Sequence, residues 1–272
     1  MSTQPSQRGL TWFQALAGQG EAVTGLPASL RVADLELAGR PARWLAVVAD
    51  ADNPFPRARQ GEVGLLEGWG LARAIQQAIA EDSNAAVKRT LIALVDVPSQ
   101  AYGHREEAYG IHQALAGAAG AYAEARLAGH PVLGLLVGNA MSGGFLAHGY
   151  QANRLLALRD SQVQVHAMGK ASAARVTLRS VEDLDRLAAD IPPMAYDLDS
   201  YASLGLLWRQ LEVAQPDQPS AEDVQQVRQA LADAQADVLA SGATDLRLRL
   251  DGANRAASRE VRERLRAGWN AG

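Results

Sequence analysis

Apolar and polar residues alternate over positions 30–39 (LRVADLELAG), as in a strand with one wet face, and give way at 42–50 (ARWLAVVAD) to a nearly unbroken apolar run. Further runs of the same kind stand at 89–97 (RTLIALVDV) and 131–138 (PVLGLLVG), with shorter ones at 154–158 and 162–166. Between them the period changes. Leu65, Trp69, Ala72, Ile75 and Ile79 share one helical face, and Ile111, Leu115, Ala118 and Tyr122 mark a stripe on a helix predicted over 105–128. A short helix is predicted at 143–152. Strand and helix in alternation predict an α/β fold with a mostly parallel sheet and crossover helices. Ligands of such sheets bind at the carboxyl ends of the strands. That rule brings DVPSQAYGHRE (96–106) and GNAMSGG (138–144) together.

The flanks read differently. Residues 1–9 are polar and predict a loose terminus, and the loop at 50–64 is too long for a simple connection. After residue 176, Ser180 and Asp183 form a capping signature for a helix that stops at Pro192–Pro193. Ser220 and Asp223 repeat the signature for a helix carrying Val224, Val227, Leu231 and Val238, and an Arg-rich helix ends at Trp269. The expected organisation is one domain over 10–211 and, over 212–272, a helical appendage of the same domain that begins with a linker at 212–219 and serves packing or subunit contact rather than chemistry.

Composition narrows the classes of function. A chain of 272 residues can bury a sizeable core, and 48% hydrophobic with 21% charged residues is ordinary for a globular protein. The absence of cysteine removes disulfides, thiol nucleophiles and thiolate metal sites. A net charge of −4 and a pI near 5.8 offer no basic footprint for nucleic acid. No stretch has the length and apolarity of a signal peptide or a membrane span, so a cytoplasmic protein is expected. No bound metal or cofactor is expected of this chain.

Chemistry concentrates at residues 142–145. A strand that turns through glycines into a helix exposes the first helical amides, and glycine lets a ligand approach them. The amides of Gly143, Gly144 and Phe145 are candidate donors to a developing oxyanion. The same two glycines could equally serve close strand–helix packing. Ser142 reads either as a nucleophile or as a helix cap. His148 and His112 read as structural, and Arg57 and Arg59 as contacts for phosphates or as a solvated loop. The terminal arginines Arg255, Arg259, Arg262, Arg264 and Arg266 alternate with Glu260 and Glu263 as on a solvated face.

Two motifs in order carry a resemblance. Asp96-Val97-Pro98, Ala101-Tyr102-Gly103 and Glu106-Glu107, followed by Ser142-Gly143-Gly144-Phe145, resemble the carboxyltransferase branch of the crotonase superfamily over about residues 40–180. In that branch a strand ends in Asp-Thr-Pro-Gly-Ala-Tyr-Pro-Gly and a later one in Gly-x-Gly-Gly-Ser-Gly-Gly-Ala. RARQGEVGLLEGW, GNAMSGGFLAHGYQANR and HAMGKASAARVT are most similar to the gamma subunits of biotin-independent malonate decarboxylases. The resemblance implies a crotonase-like ββα superhelix and a beta subunit that shares the active site. It also implies a malonyl group carried on the CoA-like arm of an acyl carrier protein, decarboxylated to acetyl through an enolate. From their place in the strand-end loop, Tyr102 and His104, with Ala101 beside them, are expected at the substrate. Ser99-Gln100 and Gly169-Lys170 depart from the carboxyltransferase pattern, in keeping with a biotin-independent enzyme.

A rival resemblance uses the same residues. GNAMSGG fits the Gly-x-Ala-x-Ser-x-Gly motif of ClpP-type serine proteases, with Ser142 as nucleophile, His166 as base and Asp217 as third member. A third reading makes the chain a non-catalytic partner of the beta subunit.

Overall fold

The continuous apolar runs become the middle of a single sheet. The computed structural model describes residues 4–269. In chain order the elements are α1 (Arg8–Ala17), β1 (Glu21–Ala22), β2 (Leu30–Asp34), β3 (Ala42–Val47), α2 (Leu65–Glu81), β4 (Thr90–Val97), α3 (His104–Ala108), α4 (Ile111–Leu127), β5 (Val132–Met141) and α5 (Ser142–Ala147). β6 (Arg154–Leu158), β7 (Val165–His166), α6 (Lys170–Thr177), α7 (Val181–Asp190), α8 (Leu198–Ser203), β8 (Arg209–Leu211), α9 (Ala221–Ser241) and α10 (Ala256–Trp269) follow.

The strand order is β1-β2-β3-β4-β5-β6-β8, with β7 paired to the far end of β5. β1, β2 and β3 are antiparallel neighbours, and every pairing from β3 onward is parallel. β3, β4 and β6 are buried along their whole length, which is why their sequences lack polar alternation. Trp44 sits beside Ile92 and Ile92 beside Leu133 in the registers of these strands. α2 and α4 pack on each other, and Gly68 is needed there because a side chain would meet the Ala114 carbonyl at 2.7 Å.

Several expectations are corrected. The predicted helix over 105–128 breaks into α3 and α4 at Gly110, whose φ of +78° ends one helix and redirects the next. The strand at 162–166 shrinks to β7. β8 was not anticipated, since three residues with one buried position carry no readable period.

The loose terminus is corrected within the described residues; positions 1–3 lie outside them. Arg8 opens α1 at 4% exposure, donating to Asp160 (2.6 Å) and Asp217 (2.6 Å), and Ser6 donates to Asp96. The segment 212–219 is likewise clamped, because Trp12 Nε1 donates to the Pro216 carbonyl (2.8 Å). Val227, Leu231 and Val238 of α9 belong to the same apolar core as the sheet.

Candidate active site

β4 and β5 stay paired to their carboxyl ends across a register shift between Val95 and Val97, and there β5 forks away from β6 and takes up β7. Asp96 sits at the fork. Its buried carboxylate accepts from the amides of Gly9 (3.0 Å) and Asn139 (3.1 Å) and from Ser6. It ties α1 to the fork. Beyond it, the Val63 amide donates to Ser99 O (3.1 Å) and the Ala101 amide to Val63 O (2.9 Å), stitching loop 98–103 to the loop that precedes α2.

That stitching aims Gln100. Its Oε1 accepts from the Gly143 amide at 2.8 Å. The amide thus points out of the turn at an oxygen, the arrangement expected of an oxyanion donor. Gly144 and Phe145 are buried behind it. Gly144 must be glycine for packing, since a Cβ would stand 2.4 Å from Ser99 O and 2.6 Å from Val97 Cγ1. Of the two readings of the glycine pair, Gly143 fits donation and Gly144 fits close approach.

Ser142 does not cap the helix. It is the first residue of α5 with φ +61°, a left-handed conformation that non-glycine residues seldom hold. Such outliers concentrate at functional sites. His166 lies opposite Met141 in the β5–β7 pairing. Its Nδ1 is bonded to the backbone of Met168 (3.0 Å to the carbonyl), and its ring stacks on Tyr196 at 3.9 Å. Burial holds its pKa below the usual histidine value, so the ring is neutral at pH 7. Asp217 corrects the triad reading: it is bonded to Arg8, and no carboxylate among the described residues orients His166.

Ser142, Gly143, Phe145 and His166 line one cavity of about 380 Å³, together with Tyr201 of α8 and Arg255 before α10. Phe145 meets Tyr150 edge-on at 5.5 Å, and the Arg249 guanidinium covers Tyr150 at 5.1 Å. The C-terminal region therefore supplies part of the cavity wall through Asn254, Arg255 and Ser258. Sequence reasoning missed Tyr201, which lies far along the chain, and Tyr150, although it stands within the stretch 138–154; Arg255, expected on a solvated face, instead lines the cavity.

The substrate-side residues divide. Ala101 is buried with Ala58, Leu65, Ile111 and Ala114 and its amide is already engaged by Val63 O, so it packs the loop. Tyr102 is 51% exposed and His104 is exposed at the start of α3, and neither lines the cavity beside Ser142. Arg57 and Arg59 are exposed on the loop at 50–64. His148 is buried, accepting from the Tyr122 hydroxyl (3.0 Å) at Nδ1 and donating from Nε2 to Leu94 O (2.9 Å). Burial pushes its pKa down to about 4, so it is a neutral structural ring. His112 is exposed on α4.

A sheet of this order, with a glycine turn at the end of β5, is the crotonase-like fold. Transcarboxylase 12S (18% identity, TM-score 0.64, 86% of this chain and 42% of that one) and the P. aeruginosa geranyl-CoA carboxylase beta subunit (17%, 0.61, 87% and 43%) share the fold. The malonate decarboxylase gamma subunit profile matches residues 58–269, and the chain belongs to that family. It is 68% identical to a chain of a Pseudomonas malonate decarboxylase hetero-tetramer solved with coenzyme A (TM-score 0.93, 96% of this chain and 99% of that one). It is 65% identical to a chain of the Pseudomonas MdcD-MdcE hetero-dimer (TM-score 0.89, 96% and 99%). The Malonyl-S-ACP:biotin-protein carboxyltransferase MADD of Malonomonas rubra is 35% identical over 154 residues, or 56% of this chain. That match spans about half of the relative's length (53%). No helix among the described residues is long and apolar enough to cross a membrane.

Proposed function

We propose that this chain is the gamma half of a malonyl-thioester decarboxylase that works only with a beta subunit. The substrate is malonyl on the CoA-like arm of an acyl carrier protein, and the product is acetyl on the same arm. Loss of carbon dioxide sends an electron pair toward the thioester oxygen, so a fixed donor at that oxygen is the principal catalytic need. The observation that carries this reading is the Gly143 amide, already presented to the carbonyl-type oxygen of Gln100 at 2.8 Å. The thioester oxygen takes the place of Gln100 Oε1, with the Gly144 and Phe145 amides behind it. The solved hetero-dimer and the coenzyme A complex of relatives support the partner and the arm. Arg57 and Arg59, exposed on their loop, suit the phosphates of that arm.

The chain is co-expressed with its beta subunit and assayed for release of carbon dioxide from malonyl thioesters. The complex should turn over and the isolated chain should be inert; activity of the isolated chain would sink the shared-site model. Ser142→Ala in the complex should keep much of the activity, whereas a serine hydrolase would lose nearly all.

Gln100→Ala separates a working turn from a purely structural one. Freeing the Gly143 amide of its internal acceptor removes a hydrogen bond worth about 0.5–1.5 kcal/mol, which is about a two- to tenfold lower KM for the malonyl thioester. A non-catalytic partner predicts unchanged kinetics.

A further inference from the structure

One titratable nitrogen beside Ser142 is both accessible and unbound. His166 is half-buried and lines the cavity, and its Nε2 keeps accessible surface while having no hydrogen-bond partner among the described residues. The sheet sets its place. β7 is parallel to the end of β5, so His166 stands opposite Met141, the residue before Ser142. Neighbouring strands lie about 4.8 Å apart, so its backbone is one strand spacing from the turn that presents the Gly143 amide. The ring is also fixed in angle. It stacks on Tyr196 (3.9 Å between centroids, 12° between planes), whose hydroxyl is held by donating to Met168 O (2.7 Å). Met168 meets Nδ1 with its carbonyl at 3.0 Å and its amide at 3.2 Å. An imidazolium donates from Nδ1 to that carbonyl, and it goes on donating after Nε2 has lost its proton. The anchor therefore survives a change of charge at Nε2.

The other polar groups of the cavity are worse proton donors or worse placed. The Tyr201 hydroxyl is sealed from the cavity. Tyr150 starts beyond the C-terminal end of α5, with its ring edge-on to Phe145 (5.5 Å) and the Arg249 guanidinium against it (5.1 Å), so its phenol belongs to the far end of the helix from the Gly143 amide. Ser142 and Ser258 carry alkyl hydroxyls, much weaker acids than an imidazolium. Arg255, whose Nε donates to Leu204 O (2.9 Å), keeps its protons throughout. Charged side chains on the elements around the ring are Arg255, Asp197 at the start of α8, and Lys170, which lies over the Tyr196 ring (5.3 Å) and pairs with Asp185 (2.7 Å). None of them bonds to His166.

We infer that His166 is the catalytic acid that delivers a proton from Nε2 to the α-carbon of the acetyl enolate, an assignment that rests on the decarboxylase reading above. In the free protein, burial keeps the ring neutral at pH 7. The malonyl carboxylate brings a negative charge into the cavity and favours the imidazolium, so the ring takes a proton from water as substrate binds. The bond between the α-carbon and the carboxylate then breaks, and its electron pair enters the enolate as carbon dioxide leaves. The Nε2–H bond breaks next, its electron pair stays on nitrogen, and the proton forms the new C–H bond. The sum is malonyl thioester plus a proton giving acetyl thioester plus carbon dioxide. Prompt protonation also stops carbon dioxide from adding back to the enolate.

The test uses the assembled complex with the beta subunit and malonyl-S-pantetheine. His166→Asn keeps a polar atom where Nδ1 meets Met168 and removes Nε2. kcat should fall at least about 100-fold, as for loss of a general acid. The longer-lived enolate should also let isotopically labelled carbon dioxide exchange into unreacted malonyl thioester faster than in the wild type. Turnover within about twofold of the wild type overturns the assignment, and so does a fall in kcat without that exchange, which marks a structural histidine. The wild-type complex supplies a reading that needs no variant. Its kcat/KM should drop more than about tenfold from about pH 5 to about pH 8, because the free ring binds its proton less readily as pH rises. A flat profile overturns the assignment. A wild-type complex inert toward malonyl-S-pantetheine defeats the decarboxylase reading, and the assignment with it.

Discussion

Replacing Gly138 by alanine should be among the most damaging single changes the chain can suffer. A Cβ there would stand 2.1 Å from Asp96 Oδ1 and 2.6 Å from its Cγ, inside any tolerable contact. Asp96 cannot step aside cheaply, because its carboxylate holds the Gly9 and Asn139 amides and the Ser6 hydroxyl. Overpacking and the loss of charge-assisted hydrogen bonds together should cost about 4–6 kcal/mol. At about 2–4 °C per kcal/mol for a chain near this size, the melting temperature should drop by roughly 10–20 °C. Asp96→Ala alone should cost about 2–4 kcal/mol, by orphaning three donors. The double variant should be much less destabilised than the sum, since the alanine at 138 then has space. Strict additivity in thermal or denaturant melts would show that the two positions do not act through one contact.

Glu67→Ala should be nearly as severe, for an electrostatic rather than a steric reason. Glu67 is fully buried, and its carboxylate accepts from Ser29, Asn53 Nδ2 (2.8 Å) and the Gly64 amide (2.9 Å). Removing it strands three buried donors at about 3–5 kcal/mol. Glu67→Gln should lie between, because a carbonyl oxygen can serve Ser29 and Asn53 while its NH₂ opposes the Gly64 amide, donor against donor. The consequence reaches the active site. Asn53 and Gly64 frame the loop whose Val63 pairs with Ser99 and Ala101, and that pairing aims Gln100 at Gly143. Hydrogen exchange at residues 58–64 and 99–101 should therefore accelerate in Glu67→Ala more than at β3 or β4. Uniform acceleration across the sheet would show that Glu67 supports global stability alone.

Both effects begin at residues that the sequence does not single out. Gly138 opens GNAMSGG and Glu67 lies within RARQGEVGLLEGW, but neither spacing shows what its side chain or missing side chain meets. The capping signatures behave in the opposite way. Ser220 accepts from the Asp223 amide at the start of α9 and Ser180 from the Asp183 amide at the start of α7, as their spacing predicts. A cap is satisfied within four residues, so its chemistry lies inside the window that a sequence displays.

The same distinction separates what was legible from what was not. Sequence alone determined the buried strands β3, β4 and β5, the alternation that makes the sheet parallel, and the meeting of residues 96–106 with 138–144. Its motifs also reached the family. Each of these rests on apolar periodicity or on contiguous residues, and burial imposes that periodicity on every turn of the chain. Tertiary structure alone decided which residues meet at the site. It brought Gln100 onto Gly143, paired Asp217 with Arg8 instead of His166, buried Ala101, and carried Tyr201 and Arg255 to the cavity beside Ser142. These partners lie tens to hundreds of residues apart. A single polar side chain leaves no period behind, and only the packed core sets how far it stands from its partner.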